Sequence, residues 1–315
     1  MGKRTLKFGL TPLIAIALLS SELVFAKVCE KWEKPSVLGY LDTKHVPEAS
    51  GLAVSRQFKR FYHINDSGNQ VEFFSSKRDG EETMPIGIAG FSASDTEDMA
   101  LGPCPLTKDT CIAVGDIGDN RERRSSINIA FIQELETFPK SVTPQAIRSF
   151  RYPDRAHNAE SMAVLPNGDL IIITKEKIGG TSFIFRARKS SYVDKASEAV
   201  VLEKIGEFNF YSVTKDKFLG GLATGMTVSS DGKKFAVLTY NLIVEFNVDL
   251  SQEDIRSKDW KEGVEYRIVP SITLSQQESI SYDDDEQSLI YTTEFANIVV
   301  GSRRSVPIMR VGCSQ

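Results

Sequence analysis

The chain has 315 residues, of which 42 are acidic and 38 basic, and its formal net charge at pH 7 is −4. The first 26 residues hold three of the basic residues and one acidic residue, so the remainder carries 41 acidic against 35 basic residues, a net charge of about −6. This balance argues against nucleic acid or an anionic membrane as the main partner.

The chain opens with the pattern of a secretory signal peptide. Basic residues at positions 3, 4 and 7 precede an apolar run from about Leu10 to Leu19, and Val-Phe-Ala closes the segment at Ala26. The run is shorter than the roughly 20 apolar residues that a spanning helix needs. We therefore expect cleavage after Ala26 and one mature domain over residues 27–315, secreted or periplasmic, monomeric and free of the membrane.

Five later segments share one pattern, in which a polar residue and an alternating strand are followed by a turn and a second strand. The first strands open at Glu48, Glu97, Glu160, Thr224 and Glu278. The second strands end at Asp66, Asp116, Lys175, Tyr240 and Glu294. The two markers are 18, 19, 15, 16 and 16 residues apart, and the repeats are 49 to 64 residues long. The sequence therefore predicts an all-β fold, a β-propeller of four-stranded blades. Five blades are counted, with a degenerate sixth near residues 200–222 as the alternative.

The four cysteines predict two disulfides in an exported chain. Cys104 and Cys111 flank a short polar turn, whereas Cys29 and Cys313 lie near the two ends of the chain. A propeller joins its last blade to its first, so the segment SVLGYLD is expected beside SVPIMRV. We predict the pairs Cys104 with Cys111 and Cys29 with Cys313, the second of which locks the ring.

The residue that opens an inner strand lies near the mouth of the central channel. Four carboxylates there, from Glu48, Glu97, Glu160 and Glu278, would raise one another's pKa unless a cation relieved their repulsion. A hard cation, Ca²⁺, is the expected ligand. The alternative is that these glutamates only accept backbone hydrogen bonds and staple the blades. Further candidate ligands end the second strands or follow them, namely Asp66, Asn69, Asp116, Asp119, Asn120, Glu294 and Asn297.

The stretch VGDIGDNRER at residues 114–123 raises the possibility of an anion site beside this cation. Arg123 and Arg124 would clamp an anionic ligand, together with Lys175 and Tyr240 at the ends of two second strands. His45 and His157 stand three residues before Glu48 and Glu160. With Glu160 they are the candidate catalytic acids and bases. The alternatives are an ordinary turn and two exposed loop imidazoles.

The inner-strand glutamates and the Asp/Asn set of the loops resemble those of secreted calcium-associated propellers: the β-propeller phytases, the phytase-like esterases and the gluconolactonase and paraoxonase group. The resemblance implies a catalytic Ca²⁺, held by Glu48 or Glu160 with Asn120, Asn158 and Asp116. That group has six blades and one dominant glutamate, whereas five repeats and four glutamates occur here.

Two functions remain open at this point. The first is a metal-dependent hydrolase of a phosphoester, ester or lactone, with calcium polarising the substrate oxygen. The second is a non-catalytic propeller that binds a protein or a glycan. A nucleophile elbow, a zinc-binding HExxH pair and a phosphate-binding P-loop are all absent from the sequence.

Overall fold

The computed structural model describes residues 1–2, 29–66, 70–195, 198–214, 218–253, 255–294, 298–300 and 303–314. The predicted signal peptide lies outside this part of the chain except for its first two residues. The described residues contain one short α-helix, α1 (Lys189–Tyr192), and 3-10 turns at Phe210–Ser212 and Ser257–Asp259. None of these helices is long and apolar enough to cross a bilayer.

The rest of the described structure is β-sheet. An N-terminal strand precedes blade 1 and is β1 (Ser36–Leu41). Blade 1 contains β2 (Ala49–Val54), β3 (Phe61–Asn65), β4 (Glu72–Ser76) and β5 (Met84–Ile88). Blade 2 contains β6 (Thr96–Pro103), β7 (Thr110–Asp116), β8 (Ile127–Gln133) and, after the short β9 (Ser141–Val142), β10 (Ala146–Arg151). The two-residue strand β9 pairs with β5 at the outer edge of blade 1.

The remaining blades follow the same order. Blade 3 contains β11 (Ala159–Val164), β12 (Leu170–Thr174), β13 (Ser182–Ala187) and, after the short β14 (Val200–Val201), β15 (Glu203–Phe208). Blade 4 contains β16 (Ala223–Val228), β17 (Phe235–Thr239), β18 (Ile243–Phe246) and β19 (Tyr266–Val269). Blade 5 contains β20 (Gln277–Tyr282), β21 (Ser288–Thr293) and β23 (Arg303–Gly312), with β22 (Ile298–Val300) paired to β23.

The five sheets form a closed propeller, as predicted. The inner strand β2 contacts β6 on one side and β20 on the other, and β11 and β16 complete the ring. A sixth blade is not formed by the described residues between 200 and 222. In that segment β14 extends blade 2 and β15 is the outer strand of blade 3, so the interruption of the pattern reflects a connection.

Each blade interface contains one hydrophobic cluster, which explains why the second strands are continuous apolar runs. Leu170 and Ile172 of β12 pack in the cluster between blades 2 and 3. Ile171 and Ile173, on the opposite face of the same strand, pack in the cluster between blades 3 and 4. Successive residues of a strand point to opposite faces, so a blade between two neighbours needs apolar residues at every position.

The ring closes through the two ends of the described chain, as the sequence predicts. The strand β1 pairs antiparallel with β23 and is the outer strand of blade 5. The disulfide Cys29–Cys313 joins the same two segments, and Cys104–Cys111 spans the β6–β7 hairpin. Both predicted pairings are confirmed.

Candidate functional site

A β-bulge near the start of each inner strand defines the mouth of the channel. In every blade the register shifts by one residue at this point, between Ala49 and Gly51 in blade 1 and between Ala159 and Ser161 in blade 3. Bulges of this kind re-aim a side chain and are frequent beside functional sites. The bulged residues, one from each blade, are Ser50, Glu97, Glu160, Thr224 and Glu278.

This register corrects the assignment of blade 1. Gly51 pairs with Ile64 as Ser161 pairs with Ile173, so Ser50 is equivalent to Glu160. Glu48 lies two residues earlier, exposed and outside β2. The ring of bulged positions therefore holds three glutamates instead of the predicted four.

The register also corrects the position of Asp116. Asp116 pairs with Thr96 in blade 2, just as Asn65 pairs with Ala49 in blade 1. Asp66 follows its strand by one residue, as do Lys175, Tyr240 and Glu294. Asp116 is thus one position short of the place that these four residues share, because the hairpin of blade 2 is longer.

Three carboxylates converge at the mouth between blades 1 and 2. One oxygen each from Asp66, Asp95 and Glu97 lies within 4.8 Å of the other two, and we call this group the acidic triad. Glu97 is buried, with 3% of its surface exposed. Since calcium–oxygen distances are about 2.3–2.6 Å, one Ca²⁺ can contact oxygens up to about 5 Å apart. The spacing of the triad would therefore allow one divalent cation to contact all three carboxylates.

Asp95 is a ligand candidate that the sequence reasoning missed. It lies two residues before Glu97, in the loop that enters β6. Its backbone carbonyl accepts a hydrogen bond from the N–H of Gly118 at 3.1 Å. The available signal was the Asp-Thr-Glu spacing, which places two acids on the same side of an extended segment.

The loop in VGDIGDNRER approaches the triad carboxylates at Gly118. A Cβ on Gly118 would lie 2.4 Å from Glu97 Oε1 and 2.5 Å from Asp95 Oδ2. Real Cβ atoms do not approach other atoms so closely, so two triad carboxylates occupy the space that a larger residue would need. Glycine at position 118 allows the backbone of the loop to cover the triad.

Both aspartates of the loop accept backbone hydrogen bonds. Asp116 accepts hydrogen bonds from the backbone N–H groups of Ser94 and Asp95, both at 2.9 Å, and forms a buried ion pair with Arg124. Asp119 accepts from the backbone N–H groups of Arg123 and Arg124, both at 2.6 Å. Asp116 therefore holds the segment that carries Asp95, Asp119 holds the loop itself, and Arg124 neutralises Asp116.

Two asparagines connect the same loop to blade 3. Asn158 accepts a hydrogen bond from the N–H of Asp119 at 2.7 Å and donates one to Asn120 at 3.3 Å. The exposed Arg123 guanidinium lies beyond this turn at the surface. Asn69 and Asn297 lie outside the described residues.

A second group of side chains crosses the mouth between blades 3, 4 and 5. Lys175 Nζ lies 2.5 Å from Glu160 Oε1 and 2.8 Å from the Tyr240 hydroxyl. That hydroxyl donates to Glu278 Oε1 at 2.9 Å. The chain from Glu160 through Lys175 and Tyr240 to Glu278 is called the lysine bridge below. Its members come from the predicted site, but only the folded ring brings them together.

One oxygen at the mouth is buried without a partner. Glu160 Oε2 has no hydrogen-bond partner among the described residues, although the Glu160 side chain is only 5% exposed. A buried carboxylate oxygen without a donor is costly. The oxygen marks a position where a proton or a cation is favoured.

The electrostatics of the mouth follow from burial and crowding. Burial, with the nearby carboxylates of Glu160, Asp66 and Asp95, raises the pKa of Glu97 well above its usual value. Burial also raises the pKa of Glu160, to about 7, against the opposing effect of Lys175. These groups therefore interact as one site.

The ionisable groups in the outer part of the mouth also have pKa values shifted by burial and by neighbouring charges. Burial and the charge of Glu160 raise the pKa of Glu278, and burial with Asp66 and Glu48 raises that of Glu294. Burial disfavours the charged form of Lys175, but Glu160 outweighs it and the pKa of this lysine is raised. Lys175 is consequently charged at neutral pH.

The two candidate histidines lie in different environments. His157 is fully buried against Tyr152 and Phe185, and its two ring nitrogens contact Glu176 at 3.0 Å and Asp154 at 3.1 Å. His45 is half-buried, and its Nδ1 contacts Asp42 at 2.7 Å. Because both nitrogens of His157 are engaged, its geometry favours a role in packing over proton transfer.

The opposite end of the channel is a separate cavity of about 370 Å³. Its wall includes Leu52, Met99, Val164, Met226 and Tyr282, one residue from each inner strand. Asp98 lies between Glu97, which belongs to the mouth, and Met99, which lines the cavity. The channel thus has an acidic end and, opposite to it, an end lined by both apolar and polar side chains.

Comparisons with known proteins add little beyond the fold. The chain matches no protein-family model and no curated protein sequence. Among solved structures it is similar to a chain in the crystal structure of a nidogen/laminin complex, at 13% identity and a TM-score of 0.44, covering 78% of this chain and 72% of that one. It is also similar to hydrazine synthase from Kuenenia stuttgartiensis, at 10% identity and a TM-score of 0.39, covering 87% of this chain and 66% of that one. These likenesses carry no argument about function.

Proposed function

We propose that this protein is an exported propeller that binds Ca²⁺ in the acidic triad and, through the bound ion, a small anionic ligand. The observation that carries the proposal is the convergence of Asp66, Asp95 and Glu97 within 4.8 Å at the channel mouth. The two disulfides are compatible with a secreted or periplasmic location.

The burial of the site supports a bound ion over a solvated acidic surface. Glu97 is 3% exposed and Glu160 is 4% exposed, so water cannot screen their charges well. The buried Glu160 Oε2 offers a further oxygen that has no donor among the described residues. A divalent ion would compensate all these groups at once.

The ligand part of the proposal follows from coordination number. Calcium takes six to eight oxygen ligands, and three carboxylates supply only part of that set. Water or the carboxylate or phosphate group of a ligand would complete it. Acidic walls repel a free anion, so anion binding at this mouth should require calcium.

Thermal unfolding with and without calcium tests the proposal. Ca²⁺ at 100 times its dissociation constant should stabilise the folded state by about 2.7 kcal/mol, and a chelator should reverse the effect. Glu97→Gln and Asp95→Asn should each remove most of this stabilisation. Glu134→Gln is the matched control, since Glu134 is a buried acid with a raised pKa that contacts Tyr62 and lines the opposite cavity. If calcium does not stabilise the wild-type protein, the non-catalytic binding module is the better interpretation.

A metal-dependent hydrolase is the second candidate, and Glu160 is the observation that favours it. A carboxylate with a pKa of about 7 and one unpartnered oxygen can act as a general base at neutral pH. Chromogenic phosphomonoester, carboxylic ester and lactone substrates test this with calcium present. Hydrolysis that is lost in Glu160→Gln, while calcium-linked stabilisation remains, would support it, and no turnover at saturating calcium would contradict it.

A further inference from the structure

The lysine bridge places an ammonium group between oxygen atoms of two side chains at the mouth. Lys175 Nζ is in contact with Glu160 at 2.5 Å and with the Tyr240 hydroxyl at 2.8 Å. The Tyr240 hydroxyl in turn contacts Glu278 at 2.9 Å. The nitrogen therefore has two oxygen neighbours, one at a distance typical of calcium–oxygen contacts and one slightly farther away.

The position of this ammonium group is fixed by its surroundings. The Lys175 side chain is 14% exposed and passes 4.8 Å from the centre of the Tyr240 ring. A buried ammonium is stabilised both by the carboxylate and by the face of the ring. Lys175 is thus a built-in counter-ion held in one place.

Glu160 connects this counter-ion to the rest of the mouth. Its Oε1 pairs with Lys175, whereas its buried Oε2 has no partner among the described residues. The charges of Asp66 and Asp95 both act on Glu160, so it lies beside the acidic triad as well as beside the bridge. One face of this carboxylate is neutralised by the protein and the other is available.

We propose that Lys175 substitutes for a second metal ion and limits the mouth to a single divalent cation. The inference rests on the proposed function in one respect, because the single ion expected in the wild-type protein is the one bound by the acidic triad. Two divalent ions within one small mouth repel strongly at low dielectric, whereas a lysine supplies a single fixed charge. The ammonium also blocks Oε1 of Glu160 and the hydroxyl oxygen of Tyr240 sterically.

Removing the charge should open a second site. Lys175→Met keeps most of the length and the apolar stem of the side chain but leaves Glu160 and Glu278 without the ammonium. Their repulsion should then be relieved by another calcium ion. The structure offers a matched control, because Lys234 forms a similar Lys–Tyr–Glu group outside the mouth.

The control residue is buried to the same degree as Lys175 and also has a tyrosine and a glutamate as neighbours, although here the lysine and the tyrosine contact the same glutamate. Lys234 is 12% exposed, lies 3.4 Å from Glu245 and passes 5.3 Å from the centre of the Tyr282 ring. The Tyr282 hydroxyl donates to Glu245 at 2.9 Å, as Tyr240 donates to Glu278. Lys234→Met therefore removes an equivalent ammonium without changing the mouth.

Equilibrium dialysis of the full chain against calcium at pH 7.5 measures the number of bound ions. We expect one ion in the wild type, in Lys175→Arg and in Lys234→Met, and two ions in Lys175→Met. One ion in all four proteins would overturn the inference and leave the proposed function intact. No ion in the wild type with one in Lys175→Met would overturn the proposed function and support the role of Lys175. No ion in any protein would overturn both.

Folding of the variant is checked separately, because Lys175→Met leaves buried carboxylates. If it unfolds in chelator but regains the wild-type circular dichroism spectrum in calcium, the inference is supported. Lys175→Gln provides a second neutral variant with a polar end. If both neutral variants stay unfolded in calcium, the charge of Lys175 is needed for folding itself and the inference is overturned.

Discussion

A carboxylate oxygen of Asp98 in blade 2 lies 2.7 Å from the backbone nitrogen of Met162 in blade 3. The same oxygen accepts a longer bond, at 3.3 Å, from the backbone N–H of Met226 in blade 4. The other oxygen accepts from the N–H of Met99 at 2.8 Å. Asp98 is fully buried and thereby satisfies inner-strand N–H groups of three blades at the centre of the ring.

Asp98→Ala should destabilise the protein strongly. The change would leave three inner-strand N–H groups without their acceptor. Even if water replaces part of these hydrogen bonds, the free energy of unfolding should fall by about 3 kcal/mol. Asp98→Asn keeps one acceptor oxygen and should lose less. Urea unfolding measures both, with Asp109→Ala, an exposed acid in the β6–β7 turn of the same blade, as the control. Equal stability of Asp98→Ala and this control would contradict the assignment.

Gly118→Ala should weaken calcium binding without removing any charge. The added Cβ would displace the Asp95 and Glu97 carboxylates, which lie 2.5 and 2.4 Å from its position. Both are ends of side chains and can move, so we expect the fold to persist while the calcium dissociation constant rises at least about tenfold, equivalent to about 1.4 kcal/mol. Isothermal titration with calcium measures this. Gly90→Ala is a poor control because Gly90 has a positive φ of 77°.

Gly87→Ala is the better matched control for that experiment. A Cβ at Gly87, in β5 at the outer part of blade 1, would have its nearest contact at 3.5 Å, an ordinary van der Waals distance. Its calcium affinity should equal that of the wild type. Unchanged calcium affinity in Gly118→Ala would show that the triad does not hold the ion.

The two disulfides should contribute unequally to stability. The Cys29–Cys313 bond spans 284 residues and the Cys104–Cys111 bond spans 7. On the chain-entropy model, the disulfide that closes the larger loop stabilises the protein by about 5.6 kcal/mol, and the one that closes the smaller loop by about 2.4 kcal/mol. Paired Cys→Ser variants, compared by urea unfolding, should show the larger loss for the terminal pair. A larger loss for the hairpin pair would mean that strand pairing of β1 alone closes the ring.

Acid should destabilise the protein partly through His63. This residue is fully buried in β3, its Nε2 lies 3.1 Å from Ser76 Oγ, and burial lowers its pKa to about 3. Because the unfolded state binds a proton below pH 6.5 and the folded state does not, stability falls as pH decreases from 6.5 towards 3. At pH 4.5 the free energy of unfolding should be about 3 kcal/mol lower than at neutral pH because of this group.

His63→Gln should flatten that part of the pH profile. Glutamine keeps a polar group near Ser76 but takes up no proton in the unfolded state. Urea unfolding at pH 7.0 and 4.5 should therefore give a smaller difference in the variant than in the wild type. An identical difference in the two proteins would show that His63 is protonated in the folded state.

The sequence by itself determined the architecture, the ring closure and the general composition of the mouth. Five repeats of 49 to 64 residues each match a four-stranded blade with its loops, so the repeated pattern already implied a closed ring. A closed ring brings the ends together, which fixed the pairing of Cys29 with Cys313. Glu97, Glu160 and Glu278 were found because a repeat places equivalent residues at one end of the channel.

The tertiary structure alone decided which of these side chains meet. The position of a bulge and the length of a hairpin shift the register by one or two residues. Because of such shifts, Ser50 and not Glu48 belongs to the ring of bulged positions, and Asp116 lies one position before the place equivalent to Asp66. Asp95 enters the triad from a loop, outside the repeated strands. Lys175 reaches Tyr240 across a blade boundary, a contact between residues 65 positions apart. Distances of this kind depend on how neighbouring blades pack. An apolar run in the sequence indicates that a strand is buried, but it does not indicate which side chains meet across the interface.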